Sequence, residues 1–252
     1  MDRPRPLPSV VAAAVLAGTA GAPVFAEPPP IIPRHVLMGT PTRENPEISP
    51  DGTRLAFTAP NESGTPNIWI QPLDGATEPR MLTQDDNRGV WGFDWSHDGR
   101  HLLYIQDRDG DENWHLHAVD IETGDVRDLT PHDGVRASNI LTDRNHPDVV
   151  LVGMNLRDRR YTDMHRVSLS SGETVLEAED PGDVTEWVTD GDFRIRAAVA
   201  LDPGNSDTVI RVRDAVDAPW REIARWTLPE TGSVLYKKVL GFTPDGQSLY
   251  VQ

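Results

Sequence analysis

Short apolar runs recur along the chain, and each of the clearest ones follows a turn of the Pro-Asp-Gly type. Residues 55–57 follow Pro50-Asp51-Gly52, and residues 102–104 follow His97-Asp98-Gly99. Glycine supplies the positive φ that such turns need, and apolar runs of this length are typical of strands. The pattern therefore predicts many short antiparallel strands, and no long amphipathic helix is indicated.

The turn and the strand after it belong to a longer repeat. Residues 49–57 align with 96–104 at an offset of 47, and the same offset relates 80–83 to 127–130. Weaker copies follow in phase at residues 146–152, 189–195 and 242–250. A period of about 40 to 50 residues is the signature of propeller blades. We predict an all-β fold, an incomplete β-propeller of about four to five blades of four antiparallel strands with TolB/WD-like blades; a β-sandwich with chance self-similarity is the alternative.

The repeat also predicts domain boundaries. A Pro-rich leader is expected at residues 27–45 and a partial propeller at 46–252. The predicted blades are residues 46–84, 90–131, 137–178, 183–228 and an incomplete one at 236–252. Seven or eight blades of this size would need about 330 residues or more. We therefore expect the 252-residue sequence to be C-terminally truncated.

The first 26 residues have the organisation of a secretory signal peptide. Arg3 and Arg5 precede an apolar run at residues 10–16, and Val24-Phe25-Ala26 offers the small residues that signal peptidase requires. The run is shorter than the roughly 20 apolar residues of a membrane span. Cleavage after Ala26 and a periplasmic or secreted location are expected.

Net charge and cysteine content limit the classes of binding partner and the kinds of site that the chain can have. The net charge is −16 and there is no cysteine. Such an acidic chain repels phosphate backbones and anionic lipid, so neither nucleic acid nor membrane is expected as a partner. The absence of cysteine excludes disulfides, thiolate metal sites and cysteine nucleophiles. Peptides or proteins are better candidates.

An acidic loop is the main candidate site. Asp109, Asp111 and Glu112 lie between two predicted strands and suggest a calcium loop, but the glycine spacing differs from an EF-hand and Ala118 stands where a bidentate Glu belongs. We therefore expect no metal. The loop is interpreted as an acidic hairpin whose carboxylates accept hydrogen bonds from nearby backbone N–H groups. Alternatively, it is a surface that faces the substrate or another domain.

Three other groups of residues offer candidate sites. Arg136, with Arg157, Arg159 and Arg160, suits a substrate carboxylate but is also expected to pair with neighbouring acids. His115 and His117 share one strand face without an evident third zinc ligand, which favours a structural role. Trp91, Phe93 and Trp95 alternate at strand spacing and are predicted to pack within a blade.

Several of these stretches together resemble the N-terminal propeller of the prolyl oligopeptidase family of serine peptidases, especially its acylaminoacyl-peptidase and dipeptidyl-peptidase-like members. The run Asp109-Gly110-Asp111-Glu112-Asn113-Trp114 followed by Leu129-Thr130-Pro131 is the most specific part. The other parts are residues 49–57, 93–99, 104–107, 158–160 and 166–173.

The resemblance implies a propeller that covers an α/β-hydrolase domain carrying Ser, Asp and His. No Gly-x-Ser-x-Gly elbow occurs in this sequence; the nearest string, at residues 204–208, lacks the final glycine. No catalytic residue is therefore assigned, the triad is expected beyond Gln252, and the 252 residues alone are expected to be inactive.

The function predicted on this basis is substrate gating in an exported serine peptidase that hydrolyses short peptides. Its expected partners are peptide substrates and its own hydrolase domain, and no cofactor is expected. A non-enzymatic periplasmic TolB-like propeller that acts as an interaction scaffold is the alternative.

Overall fold

The computed structural model describes residues 31–39, 41–227 and 238–252. The predicted signal peptide, residues 1–26, lies outside the described residues. The chain divides into two units, Met1–Thr40 and Pro41–Gln252. The described part of the first contains one short helix, α1 (Arg34–Leu37). No helix among the described residues is long and apolar enough to cross a membrane.

The second unit is built from consecutive antiparallel sheets, which confirms the predicted all-β propeller. Four sheets have four strands in sequence order, and a fifth has two in the described residues. The first two blades comprise β1 (Glu44–Ile48), β2 (Arg54–Pro60), β3 (Pro66–Pro72), β4 (Arg80–Met81), β5 (Asp94–Trp95), β6 (His101–Gln106), β7 (His115–Asp120) and β8 (Val126–Asp128). The rest are β9 (Ala137–Thr142), β10 (Val149–Met154), β11 (Asp163–Ser168), β12 (Thr174–Ala178), β13 (Val184–Thr189), β14 (Ile195–Leu201), β15 (Thr208–Val212), β16 (Arg221–Trp226), β17 (Val239–Phe242) and β18 (Leu249–Val251).

Each apolar core lies between two neighbouring sheets. The first joins Ala56 and Ile68 of blade 1 to Leu102 and Tyr104 of blade 2, whereas Leu103 packs toward blade 3. Similar clusters join blade 3 to blade 4 and blade 4 to the last sheet. Because successive strand residues point to opposite faces, central strands such as β6 are apolar on both sides and appear in the sequence as continuous apolar runs.

Arginine side chains form hydrogen bonds across the boundaries between consecutive blades, which we call seams. Arg80 on β4 donates to the carbonyl of Ile121, and Arg127 on β8 donates to the carbonyls of Leu169 (3.1 Å) and Ser170 (2.9 Å). These two arginines are related by the 47-residue repeat. At the third seam the corresponding place in the ladder is taken by Val175, opposite Arg166, and Arg166 donates instead to the carbonyl of Phe193.

The turn before each second strand is fixed by its aspartate. Asp98 accepts hydrogen bonds from the N–H groups of Arg100 (2.8 Å) and His101 (3.0 Å) and from the Ser96 hydroxyl. Burial alone would raise the pKa of Asp98, but hydrogen bonds from the His101 ring, Ser96 and these N–H groups lower it from 3.8 to about 2. Asp51 occupies the same position in blade 1 and accepts equivalent bonds from Ser49 and Thr53.

This turn predicts a pH dependence. Because the folded-state pKa of Asp98 is depressed, its stabilisation is present above the unfolded pKa near 4 and is lost as the pH falls toward 2. We expect Asp98→Asn to lower the urea midpoint at pH 7 and to weaken its dependence on pH between 4 and 2. Asp125→Asn is the control, because among the described residues that carboxylate accepts no hydrogen bond. Identical pH dependence in wild type and Asp98→Asn would contradict the assignment.

The first strand of blade 2 is shorter than the first strands of the other four-stranded blades. β5 has two residues and pairs with β6 only at Asp94↔Leu103 and Trp95↔Leu102, whereas β1 has five residues and β9 and β13 have six each. β6 pairs with β7 along its full length. Its last three residues, 104–106, therefore have a strand neighbour on one side only.

Candidate functional site

The acidic loop predicted from the sequence lies between β6 and β7 and borders a cleft of about 300 Å³. The cleft, which we call the acidic cleft, is lined by six aspartates, two arginines and two histidines. These are Asp85, Asp107, Asp109, Asp111, Asp128, Asp133, Arg88, Arg108, His115 and His117. The described lining contains no serine, threonine or cysteine, so the cleft offers a polar binding surface and no hydroxyl or thiol nucleophile.

Hydrogen bonds hold the loop in shape. Asp111 Oδ1 accepts the N–H of Asn113 at 3.0 Å, and Asp111 Oδ2 accepts the Asn113 side-chain amide at 3.1 Å. These bonds lower the pKa of Asp111. Asp109 accepts the Asn87 side-chain amide at 2.8 Å, and Asp109, Gly110 and Glu112 all have positive φ. The loop is therefore a tight, locally bonded turn.

The base of the acidic cleft is an ion pair. The Asp107 carboxylate is fully buried and lies 3.1 Å from Nε of Arg88. Its second oxygen accepts the N–H of Glu112 at 3.1 Å. A buried carboxylate held by one guanidinium and one N–H fixes the loop to the connection that precedes it.

That connection contributes Asp85, which the sequence reasoning did not identify. Burial alone would raise the pKa of Asp85, but the N–H groups of Gly89, Asn87 and Arg88 and the Gln106 amide lower it. The distances to Oδ1 are 2.7–2.9 Å for the three N–H groups. The signal for this arrangement is the local run Asp85-Asp86-Asn87-Arg88-Gly89, a loop composition ending in a glycine with positive φ.

The two histidines have different surroundings. His115 Nδ1 lies 2.7 Å from Asp128 Oδ2, whereas His117 stacks on Tyr104 with ring centroids 5.1 Å apart. His117 Nδ1 is buried without a hydrogen-bond partner among the described residues, and burial lowers the pKa of His117. No group of three His, Cys, Asp or Glu side chains suited to a metal occurs within the described ranges.

The four predicted site residues do not all lie in the acidic cleft. Asp109 and Asp111 line the acidic cleft, while Glu112 contributes its N–H to Asp107. Arg136 is exposed on the connection to blade 3, where its N–H donates to Asn155 Oδ1 at 2.7 Å, and it does not line the cleft. Arg157 and Arg160 pair with Asp163 and Asp158, as expected. For Arg136 and Arg159 the expectation of an ion pair is wrong within the part of the chain that the structure describes; Arg159 lies instead 3.5 Å from the Asp133 carbonyl.

A second, larger cleft of about 1,070 Å³ lies beside the short strand β5. We call it the inner cleft; the first strands of blades 1, 2 and 3 contribute to it, together with Trp91, Ile105 and Trp114. The prediction of blade packing is confirmed for Phe93 and Trp95, which are buried, and is wrong for Trp91, which is 67% exposed. The chain at Trp91 lies outside β5 and makes two other hydrogen bonds: Asn45 Nδ2 donates to the Trp91 carbonyl (2.9 Å), and the Trp91 ring N–H donates to the Arg88 carbonyl (3.0 Å).

Comparison with known sequences identifies relatives among the peptidases. No protein-family profile matches the chain. It is 35% identical over 220 residues to dipeptidyl aminopeptidase BIII of Pseudoxanthomonas mexicana, covering 87% of this chain and 31% of that protein. It is 23% identical over 202 residues to dipeptidyl peptidase family member 6 of Caenorhabditis elegans, covering 78% of this chain and 27% of that protein. The chain thus spans less than a third of the length of these two relatives.

Comparison with solved structures shows the same fold. Dipeptidyl peptidase 4 of Porphyromonas gingivalis aligns with a TM-score of 0.54 and 18% identity, over 73% of this chain and 33% of that one. Prolyl oligopeptidase B of Galerina marginata aligns with a TM-score of 0.52 and 15% identity, over 82% of this chain and 30% of that one. The chain is therefore similar in sequence to dipeptidyl peptidases, and its fold matches about a third of the solved dipeptidyl peptidase and prolyl oligopeptidase chains, in agreement with the propeller fold that the resemblance implied.

Proposed function

We propose that this chain forms the substrate-admitting propeller of an exported serine peptidase that hydrolyses short peptides. The observation that carries the proposal is the 35% identity to a dipeptidyl aminopeptidase over 87% of the chain. Catalysis would come from a serine hydrolase domain encoded outside these 252 residues. The propeller's own contribution would be selection of the substrate.

Physical reasons support a selecting role. The apolar cores hold consecutive blades together, so clefts such as the inner cleft have walls that do not depend on a single loop. A cleft bordered by rigid sheets admits an extended peptide more readily than a folded domain. With a net charge of −16, the chain also attracts cationic rather than anionic peptides.

Export is part of the proposal. The signal-like composition of residues 1–26 supports it. N-terminal sequencing of the mature protein from a periplasmic or culture fraction tests it. A mature chain that retains residues 1–26 in the cytoplasm would contradict export without affecting the proposed gating.

The peptidase activity is tested on the longest natural reading frame that contains this chain. We expect Gly-x-Ser-x-Gly downstream, followed by Asp and His, and hydrolysis of short peptides that falls steeply with substrate length. Replacing the elbow serine by alanine is the control and abolishes cleavage. If the reading frame lacks the Gly-x-Ser-x-Gly motif and the purified protein hydrolyses no peptide, the TolB-like scaffold would be favoured instead.

The acidic loop gives a narrower prediction within that protein. If Asp111 and Glu112 face the substrate, Asp111→Asn with Glu112→Gln removes two negative charges and raises KM for peptides with a free amino group by about tenfold, the effect of about 1.4 kcal/mol. Asp125→Asn is a control of the same type on another turn. Unchanged kinetic constants in the double variant would exclude a substrate-facing role for the loop.

A further inference from the structure

The side of β6 that faces the inner cleft has an open backbone edge at Ile105. Ile105 lies opposite Leu116 on β7. The Leu116 N–H donates to Thr130 Oγ1 (3.0 Å) and its carbonyl accepts the Leu129 N–H (2.8 Å), so both groups point toward β8. In an antiparallel ladder, when the N–H and C=O of one residue point away from the neighbouring strand, those of the residue opposite it also point away, toward the other side of the sheet. Both backbone groups of Ile105 therefore point to the side that β5 leaves uncovered.

The space beside this edge is open. Continuing the β5 register would bring Gly92 opposite Ile105, but β5 begins at Asp94. A Cβ built on Gly92 meets no atom within 4 Å, and Gly92 is not among the glycines with positive φ. Nothing in the described part of the chain donates to or accepts from the Ile105 backbone on that side. The structure thus has a gap where a strand would pair.

The walls of the gap suit an extended peptide. Three apolar side chains on them are unusually exposed: Trp91 by 67%, Ile48 by 57% and Ile105 by 43%. The two hydrogen bonds described above fix Trp91 in place. Peptide recognition by strand addition uses main-chain hydrogen bonds for affinity and side-chain pockets for selectivity. An unpaired strand edge beside fixed aromatic and aliphatic side chains provides both.

Charge around the gap favours a basic peptide. The carboxylates of Glu47 and Asp94 both line the inner cleft, and neither is in an ion pair within the described residues. Burial, and secondarily the charge of Asp94, raise the pKa of Glu47. A cation beside them would relieve this repulsion. Arg144 and His97 also line the cleft, and Arg144 is exposed.

We propose that the open edge of β6 at Ile105 binds an extended segment of a basic peptide as an added strand, with an apolar side chain beside Trp91 and a Lys or Arg side chain near Glu47 and Asp94. The inference rests on the proposed peptide-handling function and names its substrate class. The added strand would exchange two hydrogen bonds with Ile105, the bonds that a longer β5 would have made.

The test is peptide binding by the purified protein, measured by calorimetry on decapeptides with alternating Leu and Lys. Peptides N-methylated at every second residue are made in the two possible frames. We expect N-methylation in one frame to weaken peptide binding by at least about tenfold and N-methylation in the other frame to change it less than twofold. The reason is that only alternate N–H groups of a strand face the neighbouring strand. Replacing Lys by Glu should weaken binding by about tenfold, as expected when opposite charges are replaced by like ones. Equal binding of the two N-methylated frames, or no preference for Lys over Glu, would overturn the proposal.

A protein variant complements the peptide series. Gly92 and Ile105 both line the inner cleft, so Gly92→Leu places a bulky side chain in its open space without a strained φ. It should weaken binding by at least about tenfold while leaving the urea midpoint unchanged; Gly191→Leu, on a turn of blade 4, is the control. If Gly92→Leu binds as wild type does, the edge is not the site. Cleavage of short peptides by the full reading frame without binding at this edge would overturn this inference alone, whereas binding here by a protein that cleaves nothing would overturn the peptidase proposal alone.

Discussion

Replacing Glu177 by alanine is expected to lower the free energy of unfolding by about 3–5 kcal/mol, the usual loss when one partner of a buried ion pair is removed. Glu177 lies on β12 with 3% of its surface exposed. Its Oε2 accepts bonds from Arg166 Nε (3.0 Å) and Arg194 Nη1 (3.2 Å), and its Oε1 accepts the N–H of Ile195 (3.1 Å). Alanine would leave the largely buried Arg166 guanidinium without its counter-charge and a buried N–H without an acceptor. Urea unfolding followed by tryptophan fluorescence measures the loss.

The matched control for this substitution is Glu173→Ala. Glu173 precedes the same strand and is exposed, and its carboxylate makes no hydrogen bond or ion pair within the described residues. Its removal should therefore change stability by no more than about 0.5 kcal/mol. Glu177→Gln should fall between the two, because it keeps an oxygen for Ile195 and loses only the charge. Losses of similar size for Glu173→Ala and Glu177→Ala would show that the network does not stabilise the third seam.

Gly89→Ala is expected to destabilise the protein by about 2–4 kcal/mol, from a left-handed conformation and an overpacked site together. Gly89 has a φ of +75°. A Cβ there would lie 2.8 Å from Pro66 Cδ and 2.9 Å from the Pro66 carbonyl oxygen, which is itself fixed by the N–H of Val90 at 2.7 Å. Backbone must therefore move, and the N–H bond from Gly89 to Asp85 at 2.9 Å moves with it.

Gly75→Ala separates the two contributions. Gly75 has a φ of +68° with no atom within 4 Å of an added Cβ, so only the conformational cost of about 1–2 kcal/mol applies. The difference between the two variants, measured from urea midpoints at constant slope, is the cost of the contact with Pro66. Equal losses would mean that the Pro66 segment shifts freely.

Much of the fold could be predicted from the sequence because its determinants are local and repeated. An Asp-Gly turn organises its own four or five residues, as Asp98 does through the N–H groups of Arg100 and His101. A turn of this kind therefore leaves a recognisable string each time it occurs. The two arginines at the seams were visible for the same reason, as members of the repeated segments 80–83 and 127–130.

The late start of β5, at Asp94 rather than at Trp91, could not be predicted. Trp91, Phe93 and Trp95 alternate as strand residues do, and nothing local distinguishes the first from the others. In the structure the Trp91 carbonyl accepts a hydrogen bond from Asn45, which is 46 residues away in the sequence. A contact over such a distance leaves no local signal, and neither does the gap at Ile105.

The acidic cleft was predicted only in part for a related reason. The loop residues Asp109 and Asp111 stood out as a local acidic run, but the cleft also needs Asp85, Arg88 and Asp128 from the connections on either side. Their meeting depends on how consecutive blades pack. Arg136 lies close to these residues in sequence yet outside the cleft, because its segment turns into β9.

The seam contacts have a mechanical consequence. Arg80 and Arg127 each join one blade to the next, and the apolar clusters likewise join sequence neighbours. Among the described residues, these contacts couple each blade to the next one along the chain, and repeats coupled in this way resist force one joint at a time. Pulled from its ends, the protein should unravel in discrete steps of one blade, and the order of those steps should follow the strength of each joint.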